Sequence, residues 1–214
     1  MFVRPCWQPT SSQDTRSLIE QSPWALLVSN GDDGPFATNL PLLIDPSSSY
    51  PDSPLTLVGH IARANDHAQQ LANPKTIFLA IFEGPYSYVT ASWYPGRDMP
   101  STYYYTAVHC YGYIELQQES ELDTSLKELT QRMESPIPDG WKTDEIPRSE
   151  ITRRFSGITG FRLHVNRVEA KFKLGQDEPI RDALAVADEL DSRNEGSSRE
   201  LAYLIRQNNL ARTF

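Results

Sequence analysis

Apolar and polar residues alternate along this chain mostly in short runs with a period of two, and such runs predict strands. WALLVSN (24–30), FATNLPLLI (36–44) and LTLVGHI (55–61) read as three strands, the first two joined by the glycine-bounded turn GDDG (31–34). KTIFLAIFEG (75–84) is a strongly apolar strand, and SYVTASWY (87–94) reads as another, rich in aromatic and β-branched residues. TYYYTAVHCYGYIELQ (102–117) is a long strand dense in tyrosine. ITGFRLHVNRVEAKFKL (158–174) is a strand pair or one long strand.

Helical spacing is confined to fewer segments. Residues 13–22 fit a short helix with Leu18 and Ile19 inward, and residues 64–74 fit another, with Asn65 or Asp66 as cap and Pro74 just past its end. Residues 120–134 form the clearest amphipathic pattern, with Leu122, Leu126, Leu129 and Met133 on one face. Residues 149–157 predict one or two helical turns, and 178–190 and 197–209 two terminal helices. Pro- and Ser-rich loops fall at 45–54 and 95–101, and 135–147 is an irregular connection. Helices do not alternate regularly with strands, which argues against a doubly wound sheet. The order predicts a mainly β fold with peripheral α, a closed antiparallel barrel. Residues 1–214 are expected to form a single domain, with 178–214 a helical C-terminal extension.

Composition narrows the class. Hydrophobic residues make up 39% and charged residues 22% of the 214, an ordinary globular mixture, and this length buries a core without staples. The two cysteines, Cys6 and Cys110, form no CxxC and indicate no disulfide framework, so a reducing cytoplasm is expected. No apolar run approaches the roughly 20 residues of a membrane span. The first residues, MFVRPCWQPTSS, lack an apolar signal core. A cytoplasmic protein with no membrane association is the expectation. A net charge of −8 weighs against affinity for nucleic acid. The most basic stretch carries Arg148, Arg153, Arg154 and Arg162 and reads as a solvated helix face followed by a strand.

Three segments hold candidate chemistry. GHIARAND (59–66) lies between a strand and a helix start, where backbone N–H groups favour an anion and Arg63 adds a planar fork matched to phosphate. Asn65 caps the helix or donates to the same anion; the plainer alternative is a capped helix with a surface arginine. YSYVTASWYPGRDMPSTYYYTAVHCYG (86–112) offers ring faces that sandwich a planar heterocycle and hydroxyls for its polar edge, or else a barrel wall or dimer interface. EAKFKLGQD (169–177) places Lys171 and Lys173 on one strand face before a bend at Gly175, either as anion contacts or as a solvated pair. The histidines His60, His67, His109 and His164 lack metal-like spacing, so no metal site is expected. GxSxG, P-loop and GxGxxG patterns are absent.

Taken together and in order, these segments resemble the PaiB-type family of FMN-binding split-barrel proteins, named for a bacterial negative regulator of protease production and sporulation. Members carry GHxARANP-, YVSPSWY-, PTWNYxAVHxYG- and KxKLSQN-like segments. This chain reads GHIARAND, YVTASWY, STYYYTAVHCYG and KFKLGQD, and the resemblance runs from Phe2 to about Asp177. It implies an FMN-binding split β-barrel of the pyridoxamine-phosphate-oxidase-like kind with C-terminal helices, a homodimer, and FMN as cofactor. It implies phosphate and ring-edge contacts from His60, Ala62, Arg63 and Asn65, with Thr38 and Asn39 along the isoalloxazine edge. Ser92, Trp93 and Tyr94 keep the second segment, Thr102, Tyr105 and His109 the third, and Lys173 and Gln176 the fourth. The chain departs from the family pattern at Thr90-Ala91, Tyr103-Tyr104 and Gly175-Gln176-Asp177.

The resemblance implies a transcriptional regulator or flavin-linked sensor. The alternatives are a flavin-dependent oxidoreductase, with Tyr103, Tyr104, Tyr105 and His109 nearest a substrate, and a split-barrel relative that binds haem, another planar ligand or no cofactor. The acidic balance, without a basic helix-turn-helix, makes direct DNA binding doubtful; residues alone nominate no catalytic group.

Overall fold

The period-two runs close on themselves. In the computed structural model, which describes every residue except 49, 51, 52, 194, 211, 213 and 214, the strands are β1 (Trp24–Gly31), β2 (Gly34–Ile44), β3 (Thr56–Ala62), β4 (Phe78–Val89), β5 (Thr102–Leu116) and β6 (Ile158–Lys173). They form a closed barrel in the order β1-β2-β3-β6-β5-β4, with β4 returning to β1. The β1–β2 hairpin runs in register from Trp24 opposite Pro41 to Gly31 opposite Gly34, and β2–β3, β3–β6 and β1–β4 are likewise antiparallel. Closure removes the unpaired edges that an open sheet would leave to aggregation.

Around the strands lie α1 (Ser12–Gln21), α2 (Glu119–Glu134), α3 (Arg148–Phe155), α4 (Ile180–Arg193) and α5 (Ser198–Leu210), with 3-10 turns at Pro5–Trp7, Pro46–Ser48, Asp66–Ala72, Ala91–Trp93 and Thr143–Glu145. Among the described residues no helix is long and apolar enough to cross a membrane.

Three elements differ from the sequence expectation. The two strands expected at 75–84 and 87–94 are one strand, β4. Gly84 does not break it, because the missing side chain permits close approach: a Cβ there would fall 2.3 Å from Thr106 Oγ1. SWY leaves the strand in a 3-10 turn, with the Thr90 side chain accepting from Ser92 N. The expected helix at 64–74 is a 3-10 segment, Asp66–Ala72. The alternative left open at 158–174 resolves to the single strand β6.

The chain divides into two compact units, to both of which β4, β5 and β6 contribute. One comprises Ser22–Phe82 and Cys110–Val168, and its core holds Leu27, Leu42, Leu57, Phe78, Phe82, Phe161 and Leu163, all fully buried. The other comprises Met1–Gln21, Glu83–His109 and Glu169–Phe214. There the inward Leu18 and Ile19 of α1 are buried as expected, as are Val186 and Leu190 of α4 and Leu201 and Ile205 of α5.

Candidate functional site

In the unit built on Ser22–Phe82, the end of β3 feeds the 3-10 segment through Asn65, whose Oδ1 accepts from His67 N at 3.0 Å. That cap consumes the His67 backbone N–H, one of those expected to face an anion, and Arg63 remains beside it as a cation. The Asn65 amide nitrogen then faces Thr38 Oγ1 on β2 at 3.4 Å. Behind them lies His67, fully buried, its ring between Phe36 (5.3 Å between centroids) and Phe78 (6.0 Å). His67 Nδ1 is 3.0 Å from Thr38 Oγ1 and Nε2 is 2.9 Å from Ser29 Oγ. Burial holds His67, and separately His60, below the ordinary imidazole range. Asn39 and Ala62 are exposed. Arg63 is exposed too: its backbone N–H donates to Gly157 O, its guanidinium donates to Ile158 O at 3.1 Å, and it has no carboxylate partner among the described residues.

In the other unit the end of β6 meets the N-terminal segment. Lys171 is buried, its ammonium 4.7 Å from the Trp7 ring centroid and 5.1 Å from that of Tyr105. Lys173 donates to Thr102 Oγ1 and lies 5.7 Å from Trp7. The solvated lysine pair is thus not what forms at Lys171, because ring faces attract the cation and the aliphatic stem packs against them. Asp177 is held on this side by Arg4 and by Trp7 Nε1, each at 3.1 Å. Gln176 spends its amide on its own strand end, donating to Phe172 O and accepting from Leu174 N. Gly175 makes the expected bend with φ +81°, a conformation glycine adopts without a Cβ penalty.

Tyr94, the last residue of SWY, is buried and donates to Glu178 Oε1 at 3.4 Å, while Tyr104 donates to Oε2. Burial, with the adjoining Glu178 charge, pushes Tyr94 up to about 12, and burial raises Tyr104 and Glu178 as well. Ser92 is exposed, and Trp93 stacks beneath the Arg193 guanidinium at 4.7 Å. His109 is half-buried; burial and the N-terminal amine lower its basicity, while Glu169 and Glu83 oppose them.

Of the residues nominated from sequence, the structure joins Thr38 to Asn65 and Thr102 to Lys173, and it sets Tyr105 beside Lys171. Sequence reasoning missed Ser29, Trp7 and Glu178, and considered His67 only as a metal ligand. One signal for Ser29 was present: it falls on the alternation of β1 that buries Ala25 and Leu27, where a polar residue requires a partner. Among the described residues no cluster of histidine, cysteine and carboxylate side chains could hold a metal. The basic run is neutralised: Arg148 pairs with Asp123, Arg153 and Arg154 with Glu150, and Arg162 with Asp45 and Glu121. A groove between α2 and the following connection, lined by Gln131, Ile137, Trp141 and Asp144, contains none of the nominated residues.

Comparison with known proteins adds to this geometry. Residues 1–167 match the family described as "Putative FMN-binding domain". Protease synthase and sporulation protein PAI 2 of Bacillus subtilis is 24% identical over 205 residues, 96% of each chain. The structure of an FAD and haem binding protein from Mycobacterium smegmatis is similar in fold, with a TM-score of 0.58 at 17% identity over 78% of this chain and 73% of that one. A flavocytochrome from Azotobacter vinelandii is similar too, with a TM-score of 0.54 at 13% identity over 76% of this chain and 68% of that one.

Proposed function

Since the chain belongs to the PaiB-type family of FMN-binding split-barrel proteins, we propose that it binds FMN as a homodimer and serves as a flavin-linked sensor or transcriptional regulator. Its ring-closed sheet with C-terminal helices is the split barrel of pyridoxamine-phosphate-oxidase-like proteins. The observation that carries the cofactor reading is the sparing of cations. In a chain of net charge −8, Arg63 and Lys171 have no carboxylate partner among the described residues, whereas the arginines of the basic run are all paired. Free cations suit a phosphate.

The donor set also fits FMN. Thr38 and Asn65, in one unit, offer polar groups for a ring edge. When bound, FMN supplies hydride and electron chemistry; Arg63 would hold its phosphate, and Thr38, Asn39 and Asn65 would orient its ring. A regulatory effect would pass through a small molecule or a protein partner, because the arginines that could meet DNA phosphates are engaged with carboxylates.

The test is the visible spectrum of purified protein followed by titration with FMN. Flavin bands, or saturable quenching of added FMN, support the reading. A Soret band would replace it with the haem alternative, and the absence of any cofactor signal would overturn it.

A further inference from the structure

The hydrogens in the buried group behind Thr38 can be counted. Ser29 is 3% exposed, and its hydroxyl has no hydrogen-bond partner other than His67 Nε2 among the described residues. A buried hydroxyl that fails to donate is costly, so Ser29 donates and Nε2 accepts. In a neutral imidazole the other nitrogen then carries the proton, and Nδ1 donates to Thr38 Oγ1 at 3.0 Å. Stacking between Phe36 and Phe78 holds the ring in this plane.

Asn65 adds a second donor. Its Oδ1 is committed to His67 N, so the atom facing Thr38 Oγ1 is Nδ2. Thr38 Oγ1 therefore accepts twice, and its own hydrogen is left to point away from the core. Thr38 is half-exposed on β2, so that hydrogen is offered outward.

We propose that Ser29 and His67 act as positioning residues that make Thr38 an obligate hydrogen-bond donor, so that Thr38 selects a ligand edge presenting an acceptor, such as a ring carbonyl or unprotonated ring nitrogen. The ligand half of this proposal rests on the flavin reading above. The tautomer half stands without it.

Imidazole nitrogen NMR of the protein without added cofactor tests the tautomer. The expected result is a protonated Nδ1 and an unprotonated Nε2 at His67, shifting to a mixture of tautomers in Ser29→Ala; a protonated Nε2 in the unsubstituted protein would overturn the proposal. FMN titration tests the ligand half. Thr38→Val and His67→Phe are each expected to weaken binding about tenfold, the worth of one hydrogen bond, and the double variant no further than either single one. Unchanged affinity in Thr38→Val, or additive losses, would overturn it. Ser29→Ala leaves the ring stack intact and, should His67→Phe fail to fold, is expected to weaken FMN binding by itself, with unchanged affinity again overturning the proposal. If the unsubstituted protein takes up no flavin while Nδ1 is protonated, the flavin reading fails and the donor role of Thr38 holds.

Discussion

At the scale of single residues, Glu178 carries a local conflict. It is buried beneath the hydroxyls of Tyr94 and Tyr104, with Arg212 donating to its backbone carbonyl. Burial pushes its carboxyl above the ordinary 4.5, Asp177 adds to the rise, and the tyrosine hydrogen bonds only partly oppose it. A carboxyl with a raised folded value binds its proton more tightly in the folded state. Stability therefore falls as pH rises from the unfolded value through the folded one, and the penalty is constant above that. Glu178→Gln keeps an acceptor and removes the charge. Urea unfolding across a pH series is expected to show the decline in the parent protein and its loss in the variant; identical pH dependence would mean that Glu178 contributes no such penalty. A second residue-scale prediction compares Arg63 with Lys173. Arg63 offers a fork with one prong, Nη2, donating to Ile158 O, whereas Lys173 already donates to Thr102. Arg63→Ala should cost about 1.5–3 kcal/mol of FMN binding, roughly ten- to a hundredfold, and Lys173→Ala less. A larger defect in the lysine variant would remove Arg63 from the phosphate contact.

Among elements, Arg162 ties α2 to the strands. Arg162 on β6 reaches Asp45, just past β2, at 2.8 Å and Glu121 in the first turn of α2 at 2.6 Å. Burial pushes Asp45 up, but hydrogen bonds from Ser47 and Arg162 outweigh it and hold the carboxyl below its ordinary range. That stabilisation is present above the unfolded value near 3.8 and is lost as pH falls through the folded one. Arg162→Met is expected to cost about 1.5–3 kcal/mol, the range for hydrogen bonds to charged groups. It should also raise amide exchange in α2 before the strands, as read by hydrogen exchange mass spectrometry. Uniform exchange across the protein would show that α2 is held by packing instead. By contrast, α4 and α5 owe their place to apolar faces visible in the sequence, and Asn209 of α5 adds a bond to Leu174 O.

For the whole molecule, two predictions concern assembly and nucleic acid. Tyr86 and Tyr88 of β4 and Tyr103 of β5 are exposed, and the rings of Tyr88 and Tyr103 lie 5.6 Å apart. Exposed aromatic surface of this kind marks interfaces, and a two-fold dimer would use it in both subunits. Light scattering at micromolar concentration is expected to give twice the chain mass, with Tyr88→Glu shifting it toward the monomer; a monomer mass for the parent protein would refute the dimer. With Arg148, Arg153, Arg154 and Arg162 all paired to carboxylates, no DNA binding tighter than about a micromolar is expected at about 150 mM salt. Anisotropy titration with genomic fragments would contradict this if saturable binding appeared and vanished on replacing Arg153 and Arg154 with alanine.

What the sequence by itself determined was local. The hairpin turn at residues 31–34, the Asn65 cap, the inward face of α1 and the bend at Gly175 each depend on residues within a turn or two, where backbone preference and apolar period act directly; of the apolar stripe expected on α2 only Leu122 is buried, and Met133 is exposed. Four ordered motifs were enough to identify the family and the barrel. The continuity of β4 and the groups around the nominated residues were not legible, because their partners are distant along the chain. Ser29 and His67 are 38 residues apart, Tyr104 and Glu178 are 74, and Trp7 and Asp177 are 170. Only tertiary structure brings such pairs within bonding distance. It decides that Lys171 lies against rings rather than in water, that Arg162 faces Asp45 and Glu121, and that Thr38 has a histidine behind it: these outcomes follow from which elements become neighbours when the sheet closes, and no period within one strand encodes that.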